Sequence, residues 1–328
     1  MTGFAMNVLR HLLFATDFSA AADRALVRAA QLARERGARL SVLHVIPQGP
    51  LALARRFSLQ SPEVAEAEAR QGARQELVRQ VERQLRQLPG IAPGLTNSAA
   101  PETTPAPNAM AGLPPVELIV EVGRPGPEIA ATAARLGADL IILGAHGERF
   151  IKEVLLGSTV HKVLRLAPCP VLVVKQPVAG PYQRQLLPTD FSANAATAAR
   201  IARAFAPEAE REFLHVYEVP FERQLYFAGA QDGTLAFYRQ KAEADARQAM
   251  AAFVDGLGWQ PAPATRLRYG YAPAEIERVV QDFGFDLIAL ASQDNSELTA
   301  ALLGSVSLHV IEEIQCDLLV VRGMESPA

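Results

Sequence analysis

The strongest constraint on this chain is that it contains itself twice. Residues 138–158 (ADLIILGAHGERFIKEVLLGS) and 285–305 (FDLIALASQDNSELTAALLGS) align without a gap. Each is a short apolar run, a turn, and then the same Leu-Leu-Gly-Ser ending. The first copy holds Gly144, Gly147, Gly157 and Ser158 at the spacing G-x2-G-x9-G-S. The second keeps Gly304 and Ser305 but has Ala291 and Asp294 in place of the other two glycines. One fold built twice, with one glycine loop intact and one altered, predicts one working anion site and one degenerate partner.

The repeat runs through the chain. His11–Ala15 reads as a strand, Thr16-Asp17-Phe18-Ser19 as the turn into a helix over Ala20–Arg36, and Arg39–Ile46 as the next strand. A long helix follows across Pro62–Leu88, with Glu66, Arg70, Arg74 and Glu82 expected on its solvated face. Then come strand Val116–Val122, helix Glu128–Leu136, strand Leu140–Gly144, helix Thr159–Ala167 and strand Val171–Lys175. The second half repeats the order, with Thr189-Asp190-Phe191-Ser192 matching the first turn and His215-Val216 matching His44-Val45. Strands alternating with helices imply an α/β fold with parallel sheets and right-handed crossovers. A chain of 328 residues accommodates two such domains. The Pro/Gly stretch Gln176–Pro181 puts them at 1–178 and 179–328. Pro89–Pro115, rich in Pro, Ala, Thr and Asn, has no counterpart and reads as an inserted loop. His44 and His215 are expected at strand ends as packing or turn residues.

Composition narrows the function classes. With 32 basic and 35 acidic residues the net charge is −3, and no basic tract offers an electrostatic footprint for nucleic acid. Met1–Arg10 lacks a long apolar segment, and no apolar run approaches the ~20 residues of a membrane span. No membrane insertion and a cytoplasmic location are therefore expected. The two cysteines, Cys169 and Cys316, stand at equivalent places before the last strand of each half. They read as small buried residues, with no disulfide expected in a reducing compartment.

In an open parallel sheet, ligands bind beyond the carboxyl ends of the strands, where the strand order reverses. If the first and fourth strands flank that point, Asp17 and Gly144 emerge side by side. Gly144 and Gly147 let backbone approach a ligand with no Cβ in the way. Gly157-Ser158-Thr159 opens the following helix, so its first N–H groups and its dipole face an anion. The Ser158 hydroxyl adds a donor, and Asp17 is placed to accept from a ribose or help hold a metal ion. In the second half, Asp294 would set a carboxylate against a triphosphate, at about 1–4 kcal/mol per like-charge pair at ~4 Å. No G-x-G-x-x-G follows the first strand, so hydride transfer is not expected.

Taken together, ATDFS at Ala15–Ser19, VLHV at Val42–Val45, GAHG…LLGS at Gly144–Ser158 and CPVLVVK at Cys169–Lys175 resemble the universal stress protein family in its tandem form. The resemblance implies two tandem doubly wound domains, each a five-stranded parallel sheet in the order 3-2-1-4-5 with helices on both faces. It implies ATP at the first/fourth strand edge, with the Val45 backbone on adenine and Ala15 beside it. Asp17 would lie near the ribose and a Mg²⁺ or Mn²⁺ ion. Gly144, His146, Gly147, Gly157, Ser158 and Thr159 would hold the phosphates. The second half keeps TDFS, HV and LLGS but breaks the glycine pair, so the site is not carried over to it. The family's dimerisation through the last strand implies an intramolecular pseudo-dimer of Val171–Lys175 with Leu318–Arg322, and a homodimer of tandem chains beyond it. The expected function is a stress-response regulator that binds ATP and acts on unidentified protein partners. A slow ATPase or self-phosphorylating enzyme, with Ser158 or Thr159 as acceptor, and a nucleotide-free scaffold are the alternatives.

Overall fold

Apolar runs of four to nine residues form the strands. The structure, a computed structural model, describes residues 9–49, 61–86, 116–145, 157–220, 222–227, 232–292, 310 and 312–322. The expected loop Pro89–Pro115 lies outside the described residues. The chain divides into two compact units, Met1–Ala179 and Gly180–Ala328.

In the first unit the strands are β1 (His11–Thr16), β2 (Arg39–Pro47), β3 (Val116–Gly123), β4 (Leu140–Gly144) and β5 (Val171–Val174). They are all parallel, in the order β3-β2-β1-β4-β5. The helices are α1 (Ala20–Arg36), α2 (Pro62–Leu85), α3 (Pro125–Leu136) and α4 (Ser158–Leu166). Three consecutive residues of β1, Leu12, Leu13 and Phe14, have no exposed surface. Side chains alternate across a strand, so burial of all three requires cover on both faces, as in doubly wound folds.

The second unit repeats this plan. Its strands are β6 (Arg184–Pro188), β7 (Glu210–Tyr217), β8 (Ala264–Tyr269), β9 (Leu287–Ser292) and β10 (Asp317–Arg322), parallel in the order β8-β7-β6-β9-β10. Its helices are α5 (Ala193–Phe205), α6 (Glu222–Phe227), α7 (Asp232–Leu257) and α8 (Ala272–Phe283). Each unit thus has the strand order 3-2-1-4-5 within itself.

Helix limits follow local chemistry. Ser19 caps α1 by accepting the Ala22 N–H at 3.2 Å, and Gly37 ends it in the left-handed conformation (φ 62°). α3 begins at Pro125 rather than at Glu128, because proline suits the first turn, where its missing N–H has no helical partner. The basic residues of α2 differ from expectation. Arg70 donates to the Val120 carbonyl at 2.7 Å, and Arg74 reaches the Leu118 carbonyl at 3.5 Å. β3 is the end of the strand order in its unit, so these arginines cover carbonyls that no further strand of that unit pairs. Among the described residues no helix is long and apolar enough to cross a membrane.

Both cysteines are buried thiols, Cys169 7% exposed and Cys316 fully covered. Burial, helped by the nearby Asp139 carboxylate, pushes the Cys169 thiol up to about 12. The native chain should therefore leave Ellman's reagent unconsumed near neutral pH, and the denatured chain should consume two equivalents. Stoichiometric labelling of the native chain would contradict this burial.

Candidate functional site

The site is organised by the turn that ends β1. Phe18 holds a left-handed backbone (φ 67°), which costs a non-glycine residue about 1–2 kcal/mol. Four hydrogen bonds impose it. The Phe18 N–H donates to the Thr16 hydroxyl at 3.0 Å, and the Ser19 N–H to Asp17 Oδ1 at 3.1 Å. The Ser19 hydroxyl takes the Ala22 N–H, and His44 Nδ1, from the neighbouring strand, donates to the Thr16 carbonyl at 2.9 Å. The His44 ring also packs on Phe18, with centroids 4.3 Å apart. The turn leaves the Asp17 side chain exposed beyond the end of β1.

Three residues that sequence reasoning missed brace this turn. The Thr16 hydroxyl donates to Gln80 Oε1 at 2.9 Å, and Gln80 Nε2 donates to Asp23 Oδ1 at 2.7 Å. Gln80 is fully buried on α2, and Arg83 adds an ion pair to Asp23 at 3.3 Å. A glutamine among the charges of α2 carries no linear signal, since its partners lie 57 and 64 residues away.

The glycine segment arrives from the other side of β1. β4 pairs with β1 through Ala15↔Leu143 and ends at Gly144. A Cβ on Gly144 would lie 2.6 Å from the Ala21 carbonyl carbon and 2.8 Å from the Ala22 nitrogen, both backbone atoms of the first turn of α1. Gly144 is thus needed to let α1 sit on the sheet, a packing role. The Ala145 N–H donates to the Val174 carbonyl at 3.2 Å, and the Gly157 N–H returns to the Ala145 carbonyl at 3.0 Å. That bond brings both ends of the intervening loop together, so α4 begins beside the end of β4. Gly157 is the N-cap of α4 and provides no side-chain cap, unlike Ser19 on α1. The Ser158 and Thr159 main-chain N–H groups and hydroxyls belong to this first turn, where four N–H groups lack helical acceptors. His146 and Gly147 lie outside the described residues.

Ala15 and Val45 are buried beside each other's strands. The β1–β2 ladder stops at Thr16↔His44, whereas β2 continues along β3 to Pro47↔Gly123. The Arg39 N–H donates to the Arg10 carbonyl, so odd-numbered residues of β2, Val45 included, turn their main chain toward β1. There β1 has already bent away, and the Phe18 N–H is spent on Thr16. The structure therefore brings Ala15, Asp17, Val45, Gly144 and Gly157–Thr159 to one edge, at the strand-order reversal. This set of backbone donors, hydroxyls and one exposed carboxylate fits a phosphate-bearing ligand. Among the described residues no group of three or more His, Cys, Asp or Glu side chains is placed to hold a metal ion.

The second unit reproduces the turn almost bond for bond. Phe191 has φ 65°, its N–H donates to the Thr189 hydroxyl at 2.9 Å, and Ser192 donates to Asp190 Oδ1 at 3.0 Å. His215 Nδ1 donates to the Thr189 carbonyl at 2.8 Å, with its ring 4.2 Å from Phe191. The units differ at the fourth strand, where Ala291 replaces Gly144 and β9 continues to Ser292. Asp294, Gly304 and Ser305 lie outside the described residues.

Known proteins share both halves of this chain. The model of the universal stress protein family matches the chain twice, over residues 9–175 and 181–322. Universal stress protein YxiE of Bacillus subtilis is 33% identical over 168 residues, covering 50% of this chain and 97% of that protein. Universal stress protein MJ0577 of Methanocaldococcus jannaschii is 46% identical over 61 residues, covering 19% of this chain and 38% of that protein. Among solved structures, a universal stress protein from Archaeoglobus fulgidus aligns over 95% of this chain and 98% of its own, with a TM-score of 0.66 at 19% identity. That last likeness is one of fold alone.

Two measurements check the site's construction. Gly144→Ala should cost about 1–3 kcal/mol, because the new Cβ meets backbone that cannot rotate away. A urea midpoint equal to that of the natural chain would refute the close approach. Burial holds the His44 imidazole below its ordinary 6.5, against the upward pull of the Thr16 carbonyl and Asp17. Well above pH 6.5 both folded and unfolded chains carry a neutral ring and the His44 contribution is complete. As pH falls through 6.5, the unfolded chain takes the proton first, so stability is lost progressively down to the folded value. His44→Asn keeps a donor for Thr16 and should lose less melting temperature between neutral pH and about pH 5 than the natural chain. An equal loss in both would exclude His44 as a contributor.

Proposed function

The chain belongs to the universal stress protein family, and we propose that within it this protein is an ATP-binding regulator with one nucleotide site, in the first unit. The second unit serves as a structural partner. The observation that carries this reading is the Gly157 N–H bond to the Ala145 carbonyl, which sets an α4 start without a side-chain cap beside the end of β4. A phosphate group there gains main-chain N–H donors, the Ser158 and Thr159 hydroxyls and the favourable end of the helix dipole. In this reading Val45 meets the adenine through its main chain, with Ala15 beside it. Asp17 accepts from the ribose or shares a Mg²⁺ or Mn²⁺ ion with the phosphates, whose charge the ion offsets. His146 and Gly147 complete the phosphate loop. The second unit keeps the turn, but Ala291 narrows the approach and Asp294 repels a triphosphate. A cytoplasmic location, self-association and protein partners that read the bound state belong to the same proposal.

Calorimetric titration of ATP and Mg²⁺ into the nucleotide-stripped chain should give one ATP per chain. Gly147→Asp, which copies the second half, should abolish binding while leaving the circular dichroism unchanged. Ser158→Ala should weaken binding about tenfold, the value of one hydrogen bond to a charged group. No binding by the natural chain would overturn the assignment. Two ATP per chain would overturn the degenerate reading of the second unit.

A further inference from the structure

The second unit contains a cavity of about 390 Å³ at the amino ends of its strands, the edge opposite to the strand-order crevice. This volume falls within the ~300–1,000 Å³ range of small-ligand pockets. Its wall includes Arg184, the first residue of β6, and Glu210, Arg211 and Glu212 at the start of β7. Arg203 from α5 and Trp259, which follows α7, close it.

The cavity wall carries three arginines and two glutamates. Glu212 is held by Arg266, whose guanidinium lies 3.7 Å from the Phe283 ring centroid. Glu210 lies 3.8 Å from Arg184, which also donates to the Phe283 carbonyl. Those two pairings leave Arg203 and Arg211. Arg203 covers the Trp259 ring at 5.0 Å and has no ion pair among the described residues. Arg211 donates through Nη2 to the Ala206 carbonyl at 2.7 Å and to that of Pro207, capping the end of α5. Its Nε is buried with no hydrogen-bond partner. Burial first, and then the neighbouring Arg203, press the Arg211 guanidinium below its ordinary range, while Glu208 pulls the other way.

Capping α5 and covering an indole need one guanidinium each, and Glu208, which acts on Arg211, is not part of the lining, so neither role explains why the two cations share one pocket. Two neighbouring guanidiniums on one wall, neither in an ion pair among the described residues, are an arrangement that an oxyanion relieves. We propose that the second unit binds a small polyanion, a phosphate ester or a multiply charged carboxylate, in this cavity through Arg203 and Arg211. The site shares no residue with the proposed ATP site and does not depend on it. The second unit would then be a sensor of its own, with its ligand at the other end of the sheet.

Trp259 is the one tryptophan of the chain and lies 8% exposed in the cavity wall, so its fluorescence reports directly. Inorganic pyrophosphate and, separately, citrate are titrated into the full chain, with chloride at matched ionic strength as the control. A saturable change with a midpoint at or below about 1 mM is expected with at least one of them. Response to pyrophosphate alone identifies phosphate as the ligand chemistry, and response to citrate as well identifies charge. Arg203→Gln and Arg211→Gln should each raise the midpoint at least about tenfold. Arg203 is exposed and caps nothing, so its variant keeps the test decisive if Arg211→Gln fails to fold. Gly147→Asp should leave the midpoint unchanged, separating this site from the one in the first unit. No saturable response to either anion, an equal response to chloride, or an unchanged midpoint in Arg203→Gln would overturn the proposal.

Discussion

The first unit is built around one unfavourable backbone conformation that its neighbours hold in place. Phe18 sits at φ 67°, where a side chain is ordinarily strained, and hydrogen bonds from or to Thr16, Asp17, Ser19 and His44 hold the turn around it. From that turn follow the start of α1, the exposure of Asp17 beyond β1 and the early end of the β1–β2 ladder. It also aims the first turn of α1 onto β4, close enough that only glycine fits at position 144. In the first unit, turn and glycine meet across two strands.

The second unit shows what happens when one side of this constraint is kept and the other relaxed. Phe191 and His215 repeat the turn to within a few degrees and tenths of an ångström. Ala291 stands where Gly144 does, and strand β9 runs on to Ser292 instead of stopping. The turn is thus common to both units, whereas the glycine at the end of the fourth strand is not. Gly144 itself serves packing as well as access. A variant at that position would confound loss of stability with loss of the proposed ligand.

Much of this architecture was legible in the chain. The duplication, the alternation of strands and helices, and the Thr-Asp-Phe-Ser turns are local patterns, and local patterns survive reading in one dimension. Burial of the cysteines was readable because each opens an apolar strand. The role of the α2 arginines was not. Charges at helical spacing look like a solvated face, yet Arg70 and Arg74 satisfy carbonyls of β3 from 44 to 50 residues away. Gln80 was invisible for the same reason. The cationic cavity of the second unit joins residues from β6, α5, β7 and the segment after α7, no two elements of which share a motif.

The sequence alone determined the fold class, the two-fold repetition and the inequality of the two glycine loops, because periodicity, turn chemistry and the absence of a Cβ are properties of neighbouring residues. Tertiary structure decided which of those residues meet. It decided that Gly144 faces the α1 backbone, that Gly157 closes onto Ala145, and that Arg203 and Arg211 share one cavity. Such contacts depend on how strands order themselves in a sheet. That order is set by long-range packing and hydrogen bonding, which no short stretch of sequence contains.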